Sequence, residues 1–148
     1  MKRVVWVLGM ALACGPVVGA PVRADQVLAA GEVTAEAVPM GDPSKTVIGQ
    51  ALRYPAGKPV MKAYKITIPP GRATSLHLHE VGVFAYMLSG TLEVDYGTKG
   101  KKRYLPGQGF MEAVRWCHKG RAVGDAPAVL VALYLGAPEL KNTETCRN

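Results

Sequence analysis

Residues 71–90 read Gly71-Arg72-Ala73-Thr74-Ser75-Leu76-His77-Leu78-His79-Glu80-Val81-Gly82-Val83-Phe84-Ala85-Tyr86-Met87-Leu88-Ser89-Gly90. His77 and His79 are two of only 3 histidines in the 148 residues. Successive side chains of an extended chain point to opposite faces, so residues i and i+2 share one. In an extended conformation His77 and His79 therefore look one way, and Leu76 and Leu78 the other. Two imidazoles converging from one strand make half of a metal site or a pair of acid–base groups. A His-x-His pair also arises by chance from ordinary half-buried polar residues, so the rest of the chain has to decide.

Around this stretch the sequence reads as strands separated by turns. Upstream, Val47 to Leu52 reads as a strand ending at the Tyr54-Pro55-Ala56-Gly57 turn. Residues 60–68 then place Val60, Tyr64, Ile66 and Ile68 on one side, interrupted by Lys62, before Pro69-Pro70-Gly71 breaks the run. Downstream, Val83 to Leu88 is apolar on both faces. Leu92, Val94 and Tyr96 alternate with Thr91, Glu93 and Asp95, the pattern of a half-buried strand. The basic turn Gly97 to Arg103 reads as a solvated hairpin tip carrying lysines. Pro106-Gly107-Gln108-Gly109 is a turn and not a phosphate loop, because no strand-to-helix context surrounds it. Phe110 to His118 follows, then a polar turn from Lys119 to Pro127, then Ala128 to Leu135, whose continuous apolar character marks a fully buried strand. No amphipathic helical segment of useful length occurs. Many short strands at regular spacing predict an all-β sandwich or barrel.

The first 24 residues have the make-up of an export signal. Lys2 and Arg3 precede an apolar run from Val4 to about Leu12, and Val22-Arg23-Ala24 forms a small-residue cleavage site before Asp25. Gly9, Gly15 and Pro16 interrupt the run, which disfavours a spanning helix, and Ala11-Leu12-Ala13 before Cys14 is a poor lipoprotein signal. The expected destination is periplasmic or secreted, with no membrane association once the signal is removed. Of the 18 Lys and Arg, Lys2, Arg3 and Arg23 lie in this segment, leaving 15 against 11 acids. A balance this mild argues against nucleic acid as a partner. The expected organisation is a signal peptide over 1–24, an N-terminal segment over 25–46 holding an edge strand or a short helix, a barrel over 47–136, and a C-terminal tail over 137–148. Two cysteines, Cys117 and Cys146, remain after cleavage; an oxidising compartment invites a bridge between them, and two free thiols are the alternative.

The spacing Gly71, five residues, His77, one residue, His79, and then Tyr86-Met87-Leu88-Ser89-Gly90 resembles the first motif of the cupin superfamily. Tyr104-Leu105-Pro106-Gly107-Gln108 resembles the turn of the second motif, His118 stands where its histidine falls, and Asp125-Ala126-Pro127 precedes a terminal apolar strand as in cupin chains. The resemblance covers roughly residues 47–136. It implies a double-stranded β-helix, the jelly-roll barrel, holding one divalent transition metal through three histidines and a glutamate. His77, His79 and His118 match the histidine positions, whereas the glutamate position, four residues after the second histidine, is Val83. Cupins also commonly form homodimers.

Other residues near the histidines in sequence are candidates for the missing ligand or for the wall around it. Glu80 adjoins His79 and should face away from it. Glu112, six residues before His118, shares its face only if no turn intervenes. Cys117 should point away from the face of His118, and Trp116 toward it, as a cavity wall. Three neutral imidazoles suit Zn, Fe, Ni or Cu better than Mg or Ca. Proton competition places the loss of metal near the ordinary histidine range, pH ~6.5. Two functional classes remain: an exported module that binds a metal, a small molecule or both inside its barrel, and a metal-dependent enzyme of oxygenase or isomerase type acting on a small-molecule substrate. Fold does not decide between them.

Overall fold

The computed structural model describes residues 35–147. Residues 37–147 belong to one compact unit. The export segment lies outside the described residues, as do residues 25–34 of the 25–46 segment. From residue 35 to residue 44 there is no strand, and Lys45 forms a single bridge to Ala51.

This unit is all-β: β1 (Val60–Ile68), β2 (His77–Leu78), β3 (Gly82–Ser89), β4 (Thr91–Asp95), β5 (Lys101–Tyr104), β6 (Gly109–Met111), β7 (Lys119–Val123), β8 (Ala128–Gly136) and β9 (Glu144–Thr145). Its only helical turn is the 3-10 turn Gly97–Lys99, so no described helix is long and apolar enough to cross a membrane. Antiparallel pairing gives a four-stranded sheet in the order β1-β8-β3-β6, a three-stranded sheet β5-β4-β7 and a ribbon β2-β9. The facing sheets form the jelly-roll barrel.

Alternation explains which residues line the interior. Val83, Ala85 and Met87 of β3, Leu92 and Val94 of β4, and Ala128, Leu130, Ala132 and Tyr134 of β8 are buried. Their neighbours Phe84, Tyr86, Val131 and Leu133 are half-buried on the outer face, which accounts for the uninterrupted apolar runs. Tyr104 and Phe110 stack at 3.6 Å between ring centres and close one end of the core. Glu93 is buried on the outer face of β4, where Arg103 of β5 and Arg121 of β7, its cross-strand neighbours, hold both carboxylate oxygens.

Residues 47–52 do not form the expected strand. Gly49 N–H donates to Thr46 O, and the Gln50 amide bonds the backbone of Val114, so this segment is a tight loop fastened to the barrel.

Gly90 makes the corner between β3 and β4. Its φ is 70°, and a Cβ there would sit 2.1 Å from the Pro127 carbonyl oxygen, backbone that cannot move aside. Gly97 has a similar φ of 62° but open space around it. Left-handed backbone costs a non-glycine residue about 1–2 kcal/mol. Gly97→Ala should lose about that much stability, whereas Gly90→Ala should lose clearly more, because the clash adds to the strain. Urea unfolding of the two variants checks this, and equal losses would mean the corner can relax.

Candidate metal centre

β2 lies between two partners. On one side His77 pairs with Thr145 and Leu78 with Glu144 of β9. On the other, His77 N–H donates to His118 O at 3.0 Å and His118 N–H to His77 O at 2.8 Å. His77 and His118 are thus directly opposite, on one face. His79 continues the same face, and its carbonyl accepts the Arg115 N–H at 2.7 Å. The three ring centres lie 4.6, 4.9 and 5.1 Å apart. One nitrogen from each ring falls within 4.8 Å of the other two. The structure brings together the three histidines selected from the sequence.

Each ring is oriented by the same kind of bond. His77 Nδ1 donates to Ser75 O, His79 Nδ1 to Asn142 O and His118 Nδ1 to Trp116 O, each at 2.8 Å. A carbonyl oxygen can only accept, so all three rings carry the proton on Nδ1 and turn a bare Nε2 lone pair inward. A bond of this kind from the far nitrogen fixes ring orientation in metal-binding histidines. Two carbonyls belong to residue i−2, a local geometry; Asn142 comes from the C-terminal tail, 63 residues away. No local pattern in the sequence marks Asn142.

The tail is tied down on the same side. Cys146 N–H donates to Leu76 O at 3.0 Å, and Cys117 and Cys146 form a disulfide with their Cα atoms 6.2 Å apart. In the chain-entropy model, closing a loop of 29 residues is worth about 3.5 kcal/mol. The bridge thereby fixes both β9, which pairs with His77, and the residue next to His118.

A cavity of about 70 Å³ opens beside the imidazoles, lined by Val83, Glu112 and Tyr134 and by apolar residues of β1, β3, β4 and β8. In this measure a water needs about 10–15 Å³, so the space suits a few small groups. Glu80 turns away, its carboxylate accepting the Lys141 N–H. Cys117 also turns away, into the bridge. Trp116 does not wall the cavity. Its indole N–H donates to Tyr96 O and Lys99 Nζ lies 5.8 Å from the ring centre, so it caps the β4–β5 turn. Arg115, with a φ of 52°, makes a turn that breaks the alternation between Glu112 and His118. Glu112 nevertheless reaches the cavity, with Oε2 3.7 Å from His118 Nε2.

Burial pushes all three imidazoles below their ordinary 6.5, His79 to about 4, and neighbouring rings add to the effect on His77 and His79. Competition from protons thus sets in at lower pH than for a free imidazole. Burial raises the Glu112 carboxyl to about 7, against the pull of the Ala113 N–H and the Tyr96 hydroxyl. The signs are opposite. The unfolded chain takes up a proton at His79 near 6.5 while the fold withholds it to about 4, so stability falls as pH drops through that window. Glu112 stabilises the metal-free fold below about 4.5, and that contribution is lost as pH rises through about 7. In metal-free protein, His79→Gln should reduce the slope of unfolding free energy between pH 6.5 and 4 by about 1.4 kcal/mol per pH unit. Denaturant titrations at several pH values measure it, and an unchanged slope would show that His79 titrates normally.

The family model described as Cupin domain matches residues 64–134. Similar solved structures include a cupin-like protein from Thermotoga maritima, 19% identical over 58% of this chain and 64% of that one, with a TM-score of 0.53. A DMSP lyase from Ruegeria pomeroyi is 19% identical over 72% of this chain and 48% of its own, with a TM-score of 0.51. An oxalate decarboxylase from Lactobacillus farciminis is 18% identical over 57% of this chain and 26% of its own, at 0.50. The chain spans less than two thirds of the length of each of these proteins. No curated protein matches it. At such identities the likeness is one of fold; the family match is confined to residues 64–134, which form a cupin domain.

Proposed function

We propose that His77, His79 and His118 bind one divalent transition metal, Zn, Fe, Ni or Cu, and that the cavity beside it takes a small-molecule ligand. The observation that carries this reading is the common tautomer: three Nδ1–H groups anchored on carbonyls leave three Nε2 lone pairs converging. Two nitrogens about 2.1 Å from one ion are at most about 4.2 Å apart, so rings already within 4.8 Å need to close little. Neutral imidazoles fit the borderline metals, and three protein ligands leave positions open. A metal so held polarises an oxygen or nitrogen donor of the bound molecule.

The same open positions and the buried Glu112 favour a second role, a metal-dependent enzyme of oxygenase or isomerase type on a small substrate. The solved neighbours include a lyase and a decarboxylase, which bears on what the fold supports elsewhere and leaves this chain's reaction to measurement. We further propose export to the periplasm or beyond, on the strength of residues 1–24 and the bridge, and a homodimer, on the strength of the apolar outer face of β3 and β8. Intact mass beginning at Asp25 and a dimer in sedimentation would support these; a retained leader or a monomer would not.

Metal analysis of the exported, untagged protein tests the site. About one equivalent is expected in wild type and in Glu80→Ala, and little in His77→Ala or His118→Ala. A full equivalent retained by His77→Ala would put the metal elsewhere.

A further inference from the structure

The imidazoles are neutral, and Val83 offers no charge to a bound cation. The sheet supplies one from the strand next door. In the β3–β6 pair Tyr86 opposes Gly109, Ala85 opposes Phe110 and Phe84 opposes Met111. One step further the partners are Val83 and Glu112, joined by the Glu112 N–H to Val83 O at 2.8 Å. Directly opposed residues of antiparallel strands carry their Cβ atoms about 4.5–5.5 Å apart on the same face. Both side chains line the cavity.

Glu112 is held ready for a cation. Its Oε1 accepts the Ala113 N–H at 2.8 Å, which fixes the carboxylate, and Oε2 is directed at His118 Nε2. The residue is 6% exposed. Among the described residues no lysine or arginine pairs with it; the cationic partners go to Asp42, Glu93, Asp95 and Glu144. A carboxylate buried without a counter-charge costs several kcal/mol, a cost that a cation in the same cavity offsets.

We propose that Glu112 is the anionic oxygen of this metal site, taking across one strand pair the place left by Val83. The assignment rests on the metal-binding reading above and deepens it. It predicts a site whose net charge with a divalent ion is +1 rather than +2, and whose carboxylate approaches from β6.

The alternative is a protonated core acid with no part in metal binding. Calorimetric titration with Zn²⁺ at pH 7.5, on metal-free protein with the disulfide intact, separates the two. Wild type, Glu112→Gln and the transposed pair Val83→Glu with Glu112→Val are compared, with thermal unfolding of each metal-free protein alongside. Glu112→Gln should keep one site but bind at least ~10-fold more weakly, since even outer partners of a metal site change affinity by 10–100-fold. Its metal-free unfolding temperature should not fall, because a buried carboxylate has been removed. The transposed pair should recover affinity to within a few-fold of wild type. Equal affinity of wild type and Glu112→Gln overturns the assignment while leaving the histidine site standing. Should Glu112→Gln fail to fold, the transposed pair decides: folded protein with wild-type-like affinity supports the proposal, and folded protein with weakened affinity overturns it. Wild type that takes up no Zn²⁺ removes the histidine site and this assignment together.

Discussion

The site depends on three N–H to carbonyl bonds, from the Nδ1 atoms of His77, His79 and His118. An imidazole that swings freely offers either nitrogen in many directions, and three of them converging by chance would be held apart by the entropy of ordering. Here the carbonyls are themselves fixed by backbone pairing. His77 and His118 exchange two hydrogen bonds, β9 covers the other edge of β2, and the disulfide ties β9 back to the residue beside His118. The barrel thus provides the wall, and the C-terminal tail provides the clamp.

Placing these rings in a small, largely apolar cavity has an electrostatic consequence. Burial disfavours every charged form, which keeps the imidazoles neutral and the Glu112 carboxyl reluctant to ionise. The same low-dielectric surroundings strengthen attraction between a cation and any carboxylate that does ionise. A cavity with three lone pairs and one acid is therefore poorly satisfied by water or protons alone and well matched to a divalent ion. The arrangement is selective in chemistry, since imidazole nitrogens outnumber oxygens and favour transition metals over Mg²⁺ or Ca²⁺.

Much of this was legible in the sequence because it follows from local alternation. The strand faces around Ile66, Leu92 and Leu130, the shared face of His77 and His79, and the outward turn of Glu80 and Cys117 all follow from the two-residue period. What local pattern could not reveal arises from contacts between distant segments or from a break in the period. The loop at 47–52 is held by the Val114 backbone, Trp116 is drawn to the Tyr96 carbonyl, the left-handed turn at Arg115 interrupts the count to His118, and Asn142 reaches His79 from the tail. Glu112 is the clearest case. Counting residues to His118 spans a turn and has no force, whereas the register with Val83 places it at once, and register between β3 and β6 is a property of the folded sheet.

The central claim is that the interior nitrogens form one preorganised metal site. A crystal grown with Zn²⁺ and measured across the zinc absorption edge addresses it most directly. The account predicts a single anomalous peak inside the barrel, about 2.1 Å from the Nε2 atoms of His77, His79 and His118, with their Nδ1 atoms still on the carbonyls of Ser75, Asn142 and Trp116. A peak bound through Nδ1, a peak only at the protein surface, or none at all would contradict it.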